Sequence, residues 1–326
     1  MSLPVLILLL LAGLALVIVG ADLLVEGASA IARKAGLSEF LIGMTIVGIG
    51  TSMPELVVSF TGALKGRADI AIGNVVGSNI FNVFLILGLT ALVNPVAITR
   101  ENKRRDIPVN ILVTVLLICF GMSHTLFGLG QGDTISAWKG GVFLLLFVLY
   151  MVMSFRTGKA SEEAGDSEED KSAGPRKIRV ALLMVLAGLA GLIFGGDMFV
   201  DSACEIALAA GLSEKFVAIT ILACGTSLPE LVTCVVAAAK RKGALALGNI
   251  IGSNISNILL ILGSSALVCP LSFANMKVVD LVAVAFSSVA LLTSAWTGRN
   301  NKIGRGDGVA FLLMFAGYMA YLFMTI

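Results

Sequence analysis

Charge is scarce in this chain. Asp, Glu, Lys and Arg make up 13% of its 326 residues and 57% are hydrophobic, where a soluble domain carries about 25% charged residues. With a mean hydropathy of +0.98, a water-soluble globule is excluded. Histidine occurs once, as His124. That removes the imidazole clusters of zinc centres, and His124, at the outer end of the fourth apolar run, lies at the wrong depth to serve Ser52 or Ser227 as the base of an intramembrane hydrolase. The five cysteines (Cys119, Cys204, Cys224, Cys234, Cys269) show neither C-x-x-C nor metal-ligand spacing, so they read as soft packing residues. Proline is rare as well. Of seven, Pro4, Pro95, Pro108, Pro175 and Pro270 fall at the ends of apolar runs or in a polar linker. Pro54 and Pro229 do not: each lies deep inside such a run, with a glutamate next to it.

What fills the chain is apolar sequence in span-sized pieces. A membrane-crossing helix needs about 20 mostly apolar residues, and ten such runs start near Pro4, Phe40, Ile70, Ile107, Gly140, Val180, Phe216, Ala244, Leu281 and Val309. The first run is read as a span and not as a leader peptide, because it lacks a basic start and its counterpart recurs near Val180. Numbering the loops alternately puts 18 of the 23 Lys and Arg residues on one side. The positive-inside rule then predicts a multi-pass protein of the cell (inner or plasma) membrane, with both termini outside and the loop 156–179 in the cytoplasm. The lipid bilayer is the expected partner and nucleic acid is not; the oligomeric state is left open, a monomer being one outcome.

The chain is also written twice. Sliding it by 175 residues lays 20–93 over 195–268 without a gap, and 37 of the 74 positions are identical. The expected organisation is a first five-helix repeat (1–155), a linker (156–179) and a second five-helix repeat (180–326). Five spans is an odd number, so the second copy enters the membrane from the opposite side. The predicted fold is therefore all-α, ten transmembrane helices in two inverted repeats, with a site at the repeat interface near the midplane. The linker core Ser161–Asp170 is acidic and without apolar periodicity, which predicts a solvated connection.

Within the repeat, Gly50-Thr51-Ser52-Met53-Pro54-Glu55 matches Gly225-Thr226-Ser227-Leu228-Pro229-Glu230. A proline supplies no N–H and clashes with the carbonyl four residues back, here that of Gly50 or Gly225. The second span of each half is therefore expected to break and to free carbonyl oxygens beside Glu55 and Glu230. A carboxylate at that depth costs roughly 2.5–3.5 kcal/mol on insertion scales, so it marks a functional site. The third spans add Asn74, Ser78, Asn82 and Asn249, Ser253, Asn257 at i, i+4, i+8, one face of a helix. Asn79 and Asn254 lie off that face and read as helix-packing residues. Gly73, Gly77, Gly248 and Gly252 would let these helices approach their neighbours closely. Every converging donor is oxygen, as hard cations require, and Ca2+ takes 6–8 of them. Two carboxylates neutralise one divalent ion and repel each other when it leaves, a physical basis for obligatory exchange. Asp22 and Asp197, a repeat-related pair near span ends, read as solvated helix-end residues.

Both blocks resemble the α-repeats of the calcium/cation antiporter superfamily, most closely its Na+/Ca2+ exchanger branch. The resemblance implies an antiporter, not an enzyme, that exchanges Ca2+ for Na+ by alternating access, the ions being cargo and no cofactor being needed. Cation/proton exchange on the same fold is the alternative, with a channel a more distant one. It further implies Glu55 and Glu230 as principal carboxylates, backbone carbonyls from Gly48, Thr51, Ala223 and Thr226, and side-chain ligands in Ser52, Ser78, Asn82, Ser227 and Ser253. Asn257 stands where some members carry Asp; it offers a neutral oxygen and argues against K+ co-transport.

Overall fold

The computed structural model describes residues 2–130, 132–157, 177–210 and 225–325, nearly all of them helical. The first helix, α1 (Leu3–Ala35), has a proline in its first turn and ends at Gly36, whose φ of 64° closes the last turn on the Ala32 and Arg33 carbonyls. The second apolar run is broken: α2 (Glu39–Thr51) and α3 (Met53–Leu64) meet at 47°. Helix α4 (Ala68–Val93) follows, then α5 (Ile107–Gly121), the short α6 (Ser123–Phe127) and α7 (Ala137–Thr157). The second half contributes α8 (Ile178–Ala209), α9 (Leu228–Ala239), α10 (Gly243–Val268), α11 (Val278–Thr297) and α12 (Arg305–Thr325).

Seven of these helices are long and apolar enough to cross a membrane, and the bent α2–α3 pair makes an eighth. The other two expected spans differ for identifiable reasons. The run from Ile107 is only 15 residues of α-helix, because the preceding turn, Asn102–Asp106, is π-helical. The run from Phe216 begins within 211–224, outside the described residues, and only its far arm, α9, is seen.

The sequence repeat reappears as matched local structure. Helices α4 and α10 each widen into a π-helical turn at the same point, Asn82–Leu87 in one and Asn257–Leu262 in the other. Two small ribbons obey the same relation. Strand β1 (Val96–Ala97) pairs with β4 (Lys302–Ile303), and β2 (Thr134–Ile135) pairs with β3 (Leu271–Ser272). The first strand is the repeat image of the third, and each is bonded to the other half of the chain.

Burial places these helices in layers. The most apolar stretch of α10 is 94% buried and that of α4 is 78% buried, against 11% for α12 and 22% for α1. The third spans are thus the centre, and α1, α7, α8 and α12 turn leucines such as Leu8, Leu145, Leu183 and Leu313 outward, as a lipid-facing layer must. Helices α1 and α8 lie along one another on glycines: a methyl on Gly20 would sit 2.8 Å from the Gly188 carbonyl oxygen, so only glycine allows that approach. Trp138 is exposed, as an interface residue is; Tyr150 is buried and donates to Asp106 at 3.2 Å.

Candidate ion-binding site

Polar side chains should be absent from the most buried helices of an apolar protein, yet α3, α4, α9 and α10 bring a cluster of them together at the centre. Glu55 and Glu230 are both about 1% exposed. Each stands in the first turn of its helix, beside the proline and just past the break, where the positive end of the helix dipole favours a carboxylate. The break has the same form in both halves: Ser52 lies at φ −81°, ψ 8° and Ser227 at φ −89°, ψ 6°.

The two halves hold each other's carboxylates. The Ser52 hydroxyl donates to Glu230 Oε1 at 3.0 Å, and the Ser227 hydroxyl donates to Glu55 Oε1 at the same distance. Ser227 also reaches Ser78 Oγ at 3.3 Å. The other oxygen of each carboxylate, Oε2, is buried without a hydrogen-bond partner among the described residues.

The asparagines repeat this crossing pattern. Asn82 and Asn257, the first residues of the two π-helical turns, direct their amide N–H groups to the opposite half: Asn82 to Asn254 Oδ1 and Asn257 to Asn79 Oδ1, each at 3.0 Å. Their own Oδ1 atoms are buried without partners among the described residues. Asn79 and Asn254, expected to serve only helix packing, thus orient the carbonyl groups of two site residues. The Asn79 amide also donates to the Asn254 main-chain carbonyl at 3.2 Å, which fixes the pair across the interface.

The remaining predicted residues divide. Ser253 donates to the Gly48 carbonyl at 3.2 Å, so both sit at the α2–α10 contact. The Thr51 hydroxyl is turned into its own helix, onto Val47 O at 3.1 Å, and onto Asn249 Oδ1 at 3.1 Å. Thr226 Oγ1 is buried without a partner among the described residues; the repeat image of Val47, the Thr51 acceptor, lies outside them. Ala223 lies outside the described residues. Asn74 and Asn249 support the second spans: Asn74 donates to Glu55 O and Ser59 Oγ, Asn249 to Cys234 Sγ at 3.2 Å. Ser59 and Cys234 are repeat-related, so the small residue there has one task in both halves.

Unsatisfied buried oxygens carry the chemistry. An acceptor left unpaired away from water costs about 1–3 kcal/mol, more when charged, and five with no partner among the described residues lie in this cluster: Glu55 Oε2, Glu230 Oε2, Asn82 Oδ1, Asn257 Oδ1 and Thr226 Oγ1. All but the last form repeat-related pairs. Among the described residues no group of three or more His, Cys, Asp or Glu could hold a metal. A cation here would meet two carboxylates and otherwise neutral oxygens.

Comparison with known proteins agrees with this chemistry. The family model described as sodium/calcium exchanger protein matches residues 5–156 and 180–324, most of the chain. The chain belongs to the sodium/calcium exchanger family. As a member of that family it is a multi-span membrane antiporter for Ca2+ and other cations. The sodium/calcium exchanger MaX1 of Methanosarcina acetivorans is 32% identical over 350 residues, covering 97% of this chain and 98% of its own. The inner membrane protein YrbG of Escherichia coli is 37% identical over 328 residues, covering 97% and 95%. Among solved structures, the sodium–calcium exchanger NCX_Mj soaked with 10 mM Na+ and zero Ca2+ superposes with a TM-score of 0.84 at 33% identity, covering 98% of this chain and 99% of that one.

Proposed function

We propose that this member of the exchanger family moves Ca2+ out against inward Na+, one site serving both ions by alternating access. The observation that carries this reading is the crossed pattern of orphaned oxygens: Glu55 and Glu230 are each held at Oε1, and Asn82 and Asn257 at the amide nitrogen, by a bond to the opposite half, and each leaves one oxygen without a partner among the described residues. Ca2+ binds between the two carboxylates, which neutralise it, and the amide oxygens and hydroxyls of Ser52, Ser78, Thr226, Ser227 and Ser253 supply the neutral shell, with main-chain carbonyls of Gly48, Thr51 and Ala223 beside it. Vacated, the carboxylates repel one another inside the protein, so the site returns loaded with Na+. Movement of an empty site is thereby disfavoured and exchange becomes obligatory.

The repeat supplies the geometry of access. Ten spans in two inverted halves place the site near the midplane, with the termini outside and 156–179 in the cytoplasm, as the Lys and Arg distribution implies. Asn257 in place of a carboxylate leaves the centre with two negative charges and no K+ requirement.

The test is uptake of radiolabelled Ca2+ into proteoliposomes loaded with Na+, K+ or protons. Uptake that needs internal Na+ alone supports the assignment. Uptake driven by a proton gradient and indifferent to Na+ replaces it with cation/proton exchange, and flux that neither saturates nor needs a counter-ion replaces it with a channel.

A further inference from the structure

The repeat makes one part of the molecule conspicuous: two loops with the same backbone and different partners. Lys240, Arg241 and Lys242 join α9 to α10; their repeat images Lys65, Gly66 and Arg67 join α3 to α4. Lys65 lies at φ −86°, ψ 8° and Lys240 at φ −84°, ψ 11°. Gly66 and Arg241 both have positive φ, 70° and 60°. The acids that could face these loops are repeat-related too, Asp22 and Glu26 on α1 and Asp197 and Asp201 on α8.

Only one set is joined. Lys240 Nζ lies 2.6 Å from Asp22 Oδ1 and 3.0 Å from Glu26 Oε1, and Lys242 Nζ lies 3.2 Å from Glu26 Oε1. On the other side Lys65, Arg67, Asp197 and Asp201 are all exposed, with no ion pair between them. Since the loops match, the difference lies in the position of the α1–α8 pair. Helix α1 packs along α9, whereas α8 has no comparable contact with α3.

We infer that these are two alternating latches, and that when the α1–α8 pair moves to open the other access route, Asp197 and Asp201 close on Lys65 and Arg67 as Asp22 and Glu26 release Lys240 and Lys242. The inference rests on the alternating-access reading above. The repeat supplies its logic: exchanging the conformations of the two halves converts one latched side into the other. The more exposed pair, Lys240 with Asp22, is worth little by itself, about two- to fivefold in population, which suits a latch that must open in every cycle. Solvated helix-end residues, the expected role of Asp22 and Asp197, do not account for one member of the pair being engaged and the other free.

The experiment is cross-linking of cysteine pairs by a short bifunctional thiol reagent, in a background without the five native cysteines and with serine at 234 as at Ser59. The pairs are Asp22→Cys with Lys240→Cys and Asp197→Cys with Lys65→Cys, in Na+, in Ca2+ and without either. The latches predict that both pairs cross-link, under different ion conditions, and that trapping one suppresses the other. A 22–240 link that persists in every condition while 197–65 never forms overturns the inference, as do two links formed together in the same molecules. Cross-linking reads helix position and not flux, so its outcome is separable from which ion drives transport. As a check that avoids cysteine, Lys240→Gln and Lys65→Gln should shift the apparent Ca2+ affinities at the two membrane faces in opposite directions, two- to fivefold; shifts in the same direction overturn it.

Discussion

Adding one methyl group at Gly248 should disable this protein. A β-carbon at 248 would lie 2.1 Å from the Phe40 carbonyl oxygen. A C···O contact needs about 3.3 Å, so α2 and α10 would have to part by roughly 1 Å. The bonds across that contact, Thr51 to Asn249 at 3.1 Å and Ser253 to Gly48 at 3.2 Å, have no slack to follow. Overpacking of this kind costs about 1–3 kcal/mol, equivalent to roughly 5- to 150-fold in an equilibrium. Alanine's helix propensity returns up to about 1 kcal/mol, against that cost. Melting of the purified protein and exchange in proteoliposomes read the effect. Gly248→Ala should lower both, and a Gly248→Ala protein that melts like wild type would refute the packing argument.

Three further outcomes follow from the site. Ser52→Ala or Ser227→Ala removes a donor to a buried carboxylate, a bond worth about 1.5–3 kcal/mol, and each should weaken Ca2+ binding roughly ten- to a hundredfold in a titration. Asn254→Ala leaves the Asn82 amide unpaired and its carbonyl unaimed; Ca2+ affinity should fall by about 1–3 kcal/mol, while Asn254→Gln regains part of it. Because Ca2+ needs both carboxylates ionised, protons compete with it. Acidification should slow exchange, and raising Ca2+ should relieve the slowing; inhibition by acid that Ca2+ cannot overcome would place the titrating group elsewhere.

Much of this site is legible in the sequence, because membrane depth makes polar residues conspicuous. Pro54 and Pro229 announced breaks, and the α2–α3 angle bears out the first; the near arm of the second lies outside the described residues. Glu55 and Glu230, with the serines of the same motif, could be paired by the repeat alone. The helical stripe carried the reading less far. It ranked Asn74 and Asn249 with Asn82 and Asn257, yet the first two support the second spans while the last two turn oxygens inward. Asn79 and Asn254 lie off the stripe of their own helix, and their partners are across the interface. The π-helical turns that begin at Asn82 and Asn257 leave no trace in residue spacing. Four glycines were expected to permit close approach; Gly248 and Gly252 do, and Gly73 and Gly77 have no described atom in reach. The repeat images of the residues that meet Gly248 and Gly252 fall in 211–224, outside the described residues.

The measurement closest to the central claim is Ca2+ binding to the purified protein, by calorimetry, for wild type, Glu55→Gln and Glu230→Gln. Saturable binding that Na+ displaces in the wild type, lost in both variants while their melting temperatures are held or raised, is the predicted result. Undiminished Ca2+ binding in either variant would contradict the assignment of the two carboxylates to a single ion site.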